Sequence, residues 1–163
     1  MDFHLVKETW KLRAFGFLKI PLIFFCSPKL IEMTDDAVEM VIPLNYRTKN
    51  HLGSMYFGAL SIGADIAGGL IAMRLIQKSG NKVSLVFKDF RAEFLKRPEG
   101  DVHFRSTDGA KMKQLVDLAL ATGERENDTV EILATCPSKL GEEIVARLYL
   151  TISLKKKTER KSA

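Results

Sequence analysis

Cysteine is scarce in this 163-residue chain, and the two it has, Cys26 and Cys136, stand far apart with no CxxC spacing. That argues against a disulfide framework, and both are expected as small apolar core or surface residues in a reducing compartment, the cytoplasm. Histidine is as sparse: His4, His51 and His103 make no cluster with cysteines or carboxylates at metal-ligand spacing, so no metal is expected. Nor can a Ser–His–Asp set be assembled. No apolar run reads as a membrane span. Leu12 to Cys26 is too short and contains Arg13, Lys19 and Pro21. It also lacks the cleavage site and unbroken apolar stretch of a signal peptide. Met55 to Met73 has the length, but Asp65 at its centre would cost roughly 2.5–3.5 kcal/mol in a bilayer. A buried helix of a soluble protein explains it better. The charge balance is not strongly one-sided either. The net +5 comes partly from the Lys155 to Lys161 run, a basic flexible tail over 155–163. No basic face interleaved with aromatics appears, so nucleic acid is not an expected partner. Without repeats, low-complexity linkers or a composition break, residues 1–163 read as one domain with an N-terminal helical extension over 1–25.

What is present is a change of hydrophobic period along the chain. Residues 4 to 20 read as a helix carrying Leu5, Trp10, Leu12, Phe15, Phe17 and Leu18, which Pro21 and Pro28 then break. Packed on the domain as an amphipathic helix, this segment is expected to shield Trp10. From Val38 the period is two, with Met40, Ile42 and Leu44 on one face. A polar connection, Asn45 to Asn50, leads to a long apolar helix from about Ser54 to Gln77, ended by Ser79-Gly80-Asn81. Val83, Leu85 and Phe87 alternate, and the parity then shifts to Phe90, Ala92 and Phe94, which predicts a bulge or strong bend. A short strand at Val102 to Ser106 precedes a helix over 109–122 with Asp108 as its possible cap. Strands follow at Thr129 to Cys136 and at Ile144 to Leu154, where Ala146, Leu148, Leu150 and Ile152 share one face. A run of antiparallel strands with one fully apolar helix requires the sheet to curl around that helix, an α+β arrangement.

The helix carries four glycines, Gly58, Gly63, Gly68 and Gly69, each costing about 1 kcal/mol relative to alanine. Something must want the space. Gly58, Ser61, Asp65, Gly68 and Ala72 recur at steps of three or four and read as one face of small side chains with a carboxylate in it. One reading makes this face the contact between two helices across a dimer, with Asp65 bonded to backbone. The other makes it the wall of a channel, with Asp65 poised by burial as base or nucleophile.

The run Asn50-His51-Leu52-Gly53-Ser54-Met55-Tyr56-Phe57-Gly58-Ala59, followed by Ala64-Asp65, resembles the hotdog acyl-CoA thioesterases of the phenylacetyl-CoA type. In those enzymes an Asn precedes a His-Gly-Gly turn that opens the central helix, with an Asp or Glu about two turns on. Here Tyr56 stands in place of the His and Phe57 in place of the first Gly. Arg97 stands before Pro98, where some relatives place a hydroxyl. The resemblance implies the hotdog fold, a curved antiparallel sheet around a long central helix, here with an extra N-terminal helix. It implies backbone N–H donors at Phe57 and Gly58, Asp65 as base or nucleophile, and Asn50 orienting water or thioester. Tyr56, His51 and Ser61 are placed with them as substrate contacts. An acyl-CoA thioester is then the substrate, coenzyme A entering only as part of it and no separate cofactor being needed. A homodimer, or a dimer of dimers, is the expected assembly.

Three functions compete. The first is thioester hydrolysis. The second is a non-catalytic acyl-binding or oligomerisation module on the same fold. A third uses Trp10, Phe15, Phe17, Phe24 and Phe25 with Arg13 and Lys19 as an interfacial helix. The resemblance ranks the first two above it, and a membrane is not an expected partner.

Overall fold

Pro21 decides how the chain begins. It cannot continue helix α1 (Phe3–Lys19), because it lacks an N–H, but that same lack suits it to the first turn of a new helix. The computed structural model, which describes residues 3–157, therefore continues into a short α2 (Pro21–Cys26) where the sequence reads only a break. Strand β1 (Lys29–Met33) follows, also unanticipated, and then β2 (Val38–Ile42), whose Val38, Met40 and Ile42 are fully buried. The long apolar segment is helix α3 (Phe57–Ser79), closed by Gly80 in the left-handed conformation. After it come β3 (Val83–Phe94), β4 (Val102–Ser106), α4 (Gly109–Thr122), β5 (Arg125–Thr135), the one-turn α5 (Pro137–Leu140) and β6 (Ile144–Lys156).

The six strands form one antiparallel sheet in the order β1-β2-β4-β5-β6-β3, and α3 packs against β2, β3, β4, β5 and β6. This is the hotdog fold. Helix α3 is long and apolar enough to cross a membrane, yet most of its apolar window is buried inside the domain, between the sheet and helices α2 and α4. Burying Leu60, Ile66, Ile71 and Leu75 contributes roughly 1.5–3 kcal/mol for each side chain. Along β6 the even-numbered residues from Ala146 to Leu154 all face this core. The parity shift in β3 is a real irregularity: its register against β6 slips between Phe87 and Asp89. Both cysteines are buried and free.

Two expectations need correction. Asp108 stands at the start of α4 but makes no side-chain cap there; its carboxylate accepts the Glu131 N–H at 2.7 Å instead, a strand donor that competes successfully for it. Trp10 is not shielded but 65% exposed. Helix α1 seats Leu5, Thr9, Leu12 and Gly16 on the domain, with the Thr9 hydroxyl accepting the Leu30 N–H at 3.0 Å. Trp10 falls on the flank of that face, beside a shallow groove it shares with Lys29 and Ile31 of β1. Of the basic tail, residues 158–163 lie outside the described residues.

Candidate functional site

The turn before α3 is held by its own side chains. Asn50 donates its backbone N–H to the Ser54 carbonyl at 2.8 Å, and its Oδ1 accepts the N–H groups of Leu52 and Ser54 at 2.9 and 3.2 Å. Its Nδ2 donates one of its two hydrogens to Ser54 Oγ at 3.0 Å, so the Asn50 amide braces the turn with its oxygen and one N–H. Gly53, with φ of 80°, supplies the left-handed residue that the turn needs. The Tyr56 N–H donates to the Thr48 carbonyl, and that of Met55 to the Pro98 carbonyl, which brings the segment after Arg97 against the helix start.

Helix α3 then begins without a side-chain cap. The N–H groups of Ala59 and Leu60 return to the Tyr56 carbonyl, while those of Phe57 and Gly58 meet no acceptor among the described residues. Unpaired N–H groups and the positive end of the helix dipole favour an oxyanion at this place. Tyr56 and Phe57 are both exposed, their ring centroids 4.7 Å apart, and the Tyr56 ring occupies the space a Cβ on Gly58 would take. His51 is exposed on the preceding turn. Ser61 is half-buried and donates its hydroxyl to the Phe57 carbonyl at 3.0 Å.

Two turns further on, Asp65 is half-buried and has no hydrogen-bond or ion-pair partner among the described residues. Burial pushes its carboxyl above the usual carboxylate range. It lines a half-open cavity of about 480 Å³ bordered by α1, α2, β1, α3 and β3, with Phe15, Ile23, Gly69, Met73 and Phe87 among its walls. The other charged groups there are occupied. Glu8 and Lys11 pair with each other at 2.7 Å, and Arg74 reaches Asp35 at 2.8 Å. At about 1.5 Å of rise per residue, Asp65 lies roughly 12 Å along the helix from Phe57. The small-residue face is not uniform. Gly68 and Ala72 are buried, Gly68 against Val130 and Leu150 of the sheet, whereas Ser61 and Asp65 sit at its margin. Among the described residues no three His, Cys, Asp or Glu side chains form a cluster able to hold a metal.

One family pattern spans residues 9–153, nearly all of the chain. The chain belongs to the DUF4442 family, a domain of unknown function. A search of the curated proteins found no match. Solved structures share the architecture. PA5026 from Pseudomonas aeruginosa, described as a protein of unknown function and probable thioesterase, is 22% identical with a TM-score of 0.74, covering 91% of this chain and 96% of its own. OLEI01261 from Chlorobaculum tepidum, of unknown function, is 14% identical with a TM-score of 0.78, covering 94% and 97%. The thioesterase HI1161 from Haemophilus influenzae is 16% identical with a TM-score of 0.67, covering 93% and 94%. At these identities the likeness shows the fold.

In this DUF4442 domain the turn residues and Asp65 lie on one helix and its approach, as their spacing requires, but at its two separate levels. What sequence reasoning did not find is the cavity. Its walls come from residues as far apart as Glu8 and Phe87, and the one local signal was Gly69, where an added Cβ would stand 3.3 Å from the Phe87 ring.

Proposed function

We propose that this domain hydrolyses an acyl-CoA thioester at the N-terminal end of α3, in a site completed by a second copy of the chain. The observation that carries the reading is a pair of unpaired helix N–H donors, at Phe57 and Gly58, on the same helix as an unpartnered, raised carboxylate. The N–H groups would hold the thioester oxygen as negative charge develops on it. Asp65 would accept a proton from water as that water adds to the carbonyl carbon. The C–S bond then breaks and the proton passes to the departing thiolate. The same carboxylate could instead attack the carbonyl, with water later releasing the acyl group. Asn50, its oxygen spent on the turn, would hold the donors in place and orient water or the thioester with its second Nδ2 hydrogen. Tyr56, His51 and Ser61 would border the substrate. That two solved structures of this fold are described as thioesterases or probable thioesterases supports the reading.

The roughly 12 Å between Phe57 and Asp65 is too far for both to reach one carbonyl within a single chain. Two antiparallel copies of α3 would bring the donors of one beside the acid of the other. Strand β3 supports such a dimer. Among the described residues it is an edge strand paired only with β6, and Phe87, Phe90 and Phe94 on its core-facing side are 41–52% exposed. A dimer of dimers would bury further surface. Free, buried cysteines suit the cytoplasm as the place of action.

A second reading, a non-catalytic acyl-binding or oligomerisation module, is favoured by one observation. The Tyr56 ring sits against Gly58, beside one of the two donors that the thioester oxygen must reach. Thiol release measured over a panel of acyl-CoA esters separates the two. Turnover with at least one ester is expected; binding without any release would establish the second reading.

A further inference from the structure

Helix α1 is apolar over more of its circumference than it packs on the domain. Leu5, Leu12 and Gly16 pack inward, whereas Trp10 and Phe17, seven residues apart on one outer stripe, are each 65% exposed. Leu18, Leu22 and Phe25 extend this surface at 73%, 64% and 53% exposure. It is continuous from α1 to α2, because the Phe17 and Phe24 rings meet edge-on at 5.3 Å. An exposed apolar patch of this kind marks an interaction surface.

Charge selects the occupant. Over residues 3–29 the chain carries five basic side chains (Lys7, Lys11, Arg13, Lys19 and Lys29) against the single acid Glu8. Glu8 is itself paired with Lys11, and the Arg13 guanidinium lies 6.0 Å from the Trp10 ring centroid. A second copy seated symmetrically on this patch would bring like charges together. A surface of anionic lipid would meet the lysines with opposite charge and receive the Trp, Phe and Leu side chains at the headgroup boundary. Lying in that boundary requires no membrane span, so the shortness of the segment is no obstacle.

We propose that the α1–α2 hairpin docks this domain on an anionic phospholipid surface. The same two helices supply Phe15 and Ile23 to the cavity that Asp65 lines, so docking would set the cavity beside the place where long acyl chains partition. That consequence rests on the acyl-thioester reading; the docking itself does not.

Vesicles of phosphatidylglycerol mixed with phosphatidylcholine provide the probe, with phosphatidylcholine alone as control. The native protein is expected to sediment with the mixed vesicles at low salt and to show a blue-shifted emission from Trp10, its only tryptophan. Little of either is expected with the control. Lys7→Gln together with Lys19→Gln should weaken partitioning roughly 25-fold, about fivefold for each lysine. Leu18→Ser with Leu22→Ser, at two exposed positions outside the Phe17–Phe24 ring pair, should abolish it while leaving the protein folded. No sedimentation and no emission shift on the mixed vesicles would overturn the proposal. So would an emission shift that follows protein concentration in the absence of vesicles, since a second copy would then cover the patch. Neither readout involves hydrolysis, so failure of the catalytic reading is distinguishable from failure of this one.

Discussion

The ring of Phe104 occupies the space that a side chain on Gly63 would need: a Cβ there would stand 2.3 Å from the ring's Cζ. Phe104, on β4, is fully buried, so neither it nor the helix can give way cheaply. Gly63→Ala should therefore destabilise the fold by about 1–3 kcal/mol through overpacking, despite alanine's better helix propensity. Urea unfolding checks this, and the loss should shrink when Phe104→Leu makes room. Gly68→Leu should cost at least as much, because a Cβ there already meets Val130 at 3.1 Å. A glycine variant that unfolds like the parent would mean that the sheet relaxes around α3.

These contacts also show what the sequence could and could not disclose. Alternation over Ala146 to Leu154 was legible because one sheet face is buried along the whole strand. The β3 bulge was legible as a change of parity. Strand β1 was not, since its five residues bury only Leu30 fully and carry no clear period. Pro21 hid α2, because the residue that stops one helix also opens the next. Trp10 misled because α1 is apolar over more of its circumference than it packs, and periodicity does not say which part the domain takes. For the site, the Asn50-to-Asp65 spacing was readable. The cavity and the engagement of the Asn50 amide oxygen within its turn arise only from three-dimensional contacts.

Asp65 should make stability depend on pH. Burial raises its carboxyl, so the native state holds the proton at pH values where the unfolded chain, titrating at about 3.9, has lost it. The native state binds more protons in that window, and the group's contribution to stability falls as pH rises through it. Asp65→Asn, which has no proton to lose, should match the parent at about pH 3 and exceed it near pH 7. Paired thermal melts at the two pH values measure the difference. Equal stability at neutral pH would show that the carboxylate gains a partner in solution.

Assembly is open to a direct test at β3. A chain that places Phe90, 41% exposed, at a dimer contact should lose its partner when Phe90→Glu puts a charge there. Light scattering coupled to chromatography should find the parent as a dimer or larger at micromolar concentration, and the variant as a monomer. A monomeric parent would remove the two-copy site.

Trp10 reports on the N-terminal helices in buffer alone. With 65% of its surface exposed, it should emit to the red and be quenched freely by acrylamide. Blue-shifted, protected emission without vesicles would place another surface over it.

Whether Asp65 performs the proposed chemistry is measured most directly by thiol release from Asp65→Asn beside the parent on the best acyl-CoA substrate. Asp65 is the only ionisable residue between Tyr56 and Met73, and it has no structural partner among the described residues, so the variant should remain folded. Its kcat should fall by a factor on the order of 10² or more, as expected when a positioned acid–base group is removed. KM should change little, because coenzyme A would be held elsewhere. A folded Asp65→Asn protein that releases thiol as fast as the parent would contradict the account.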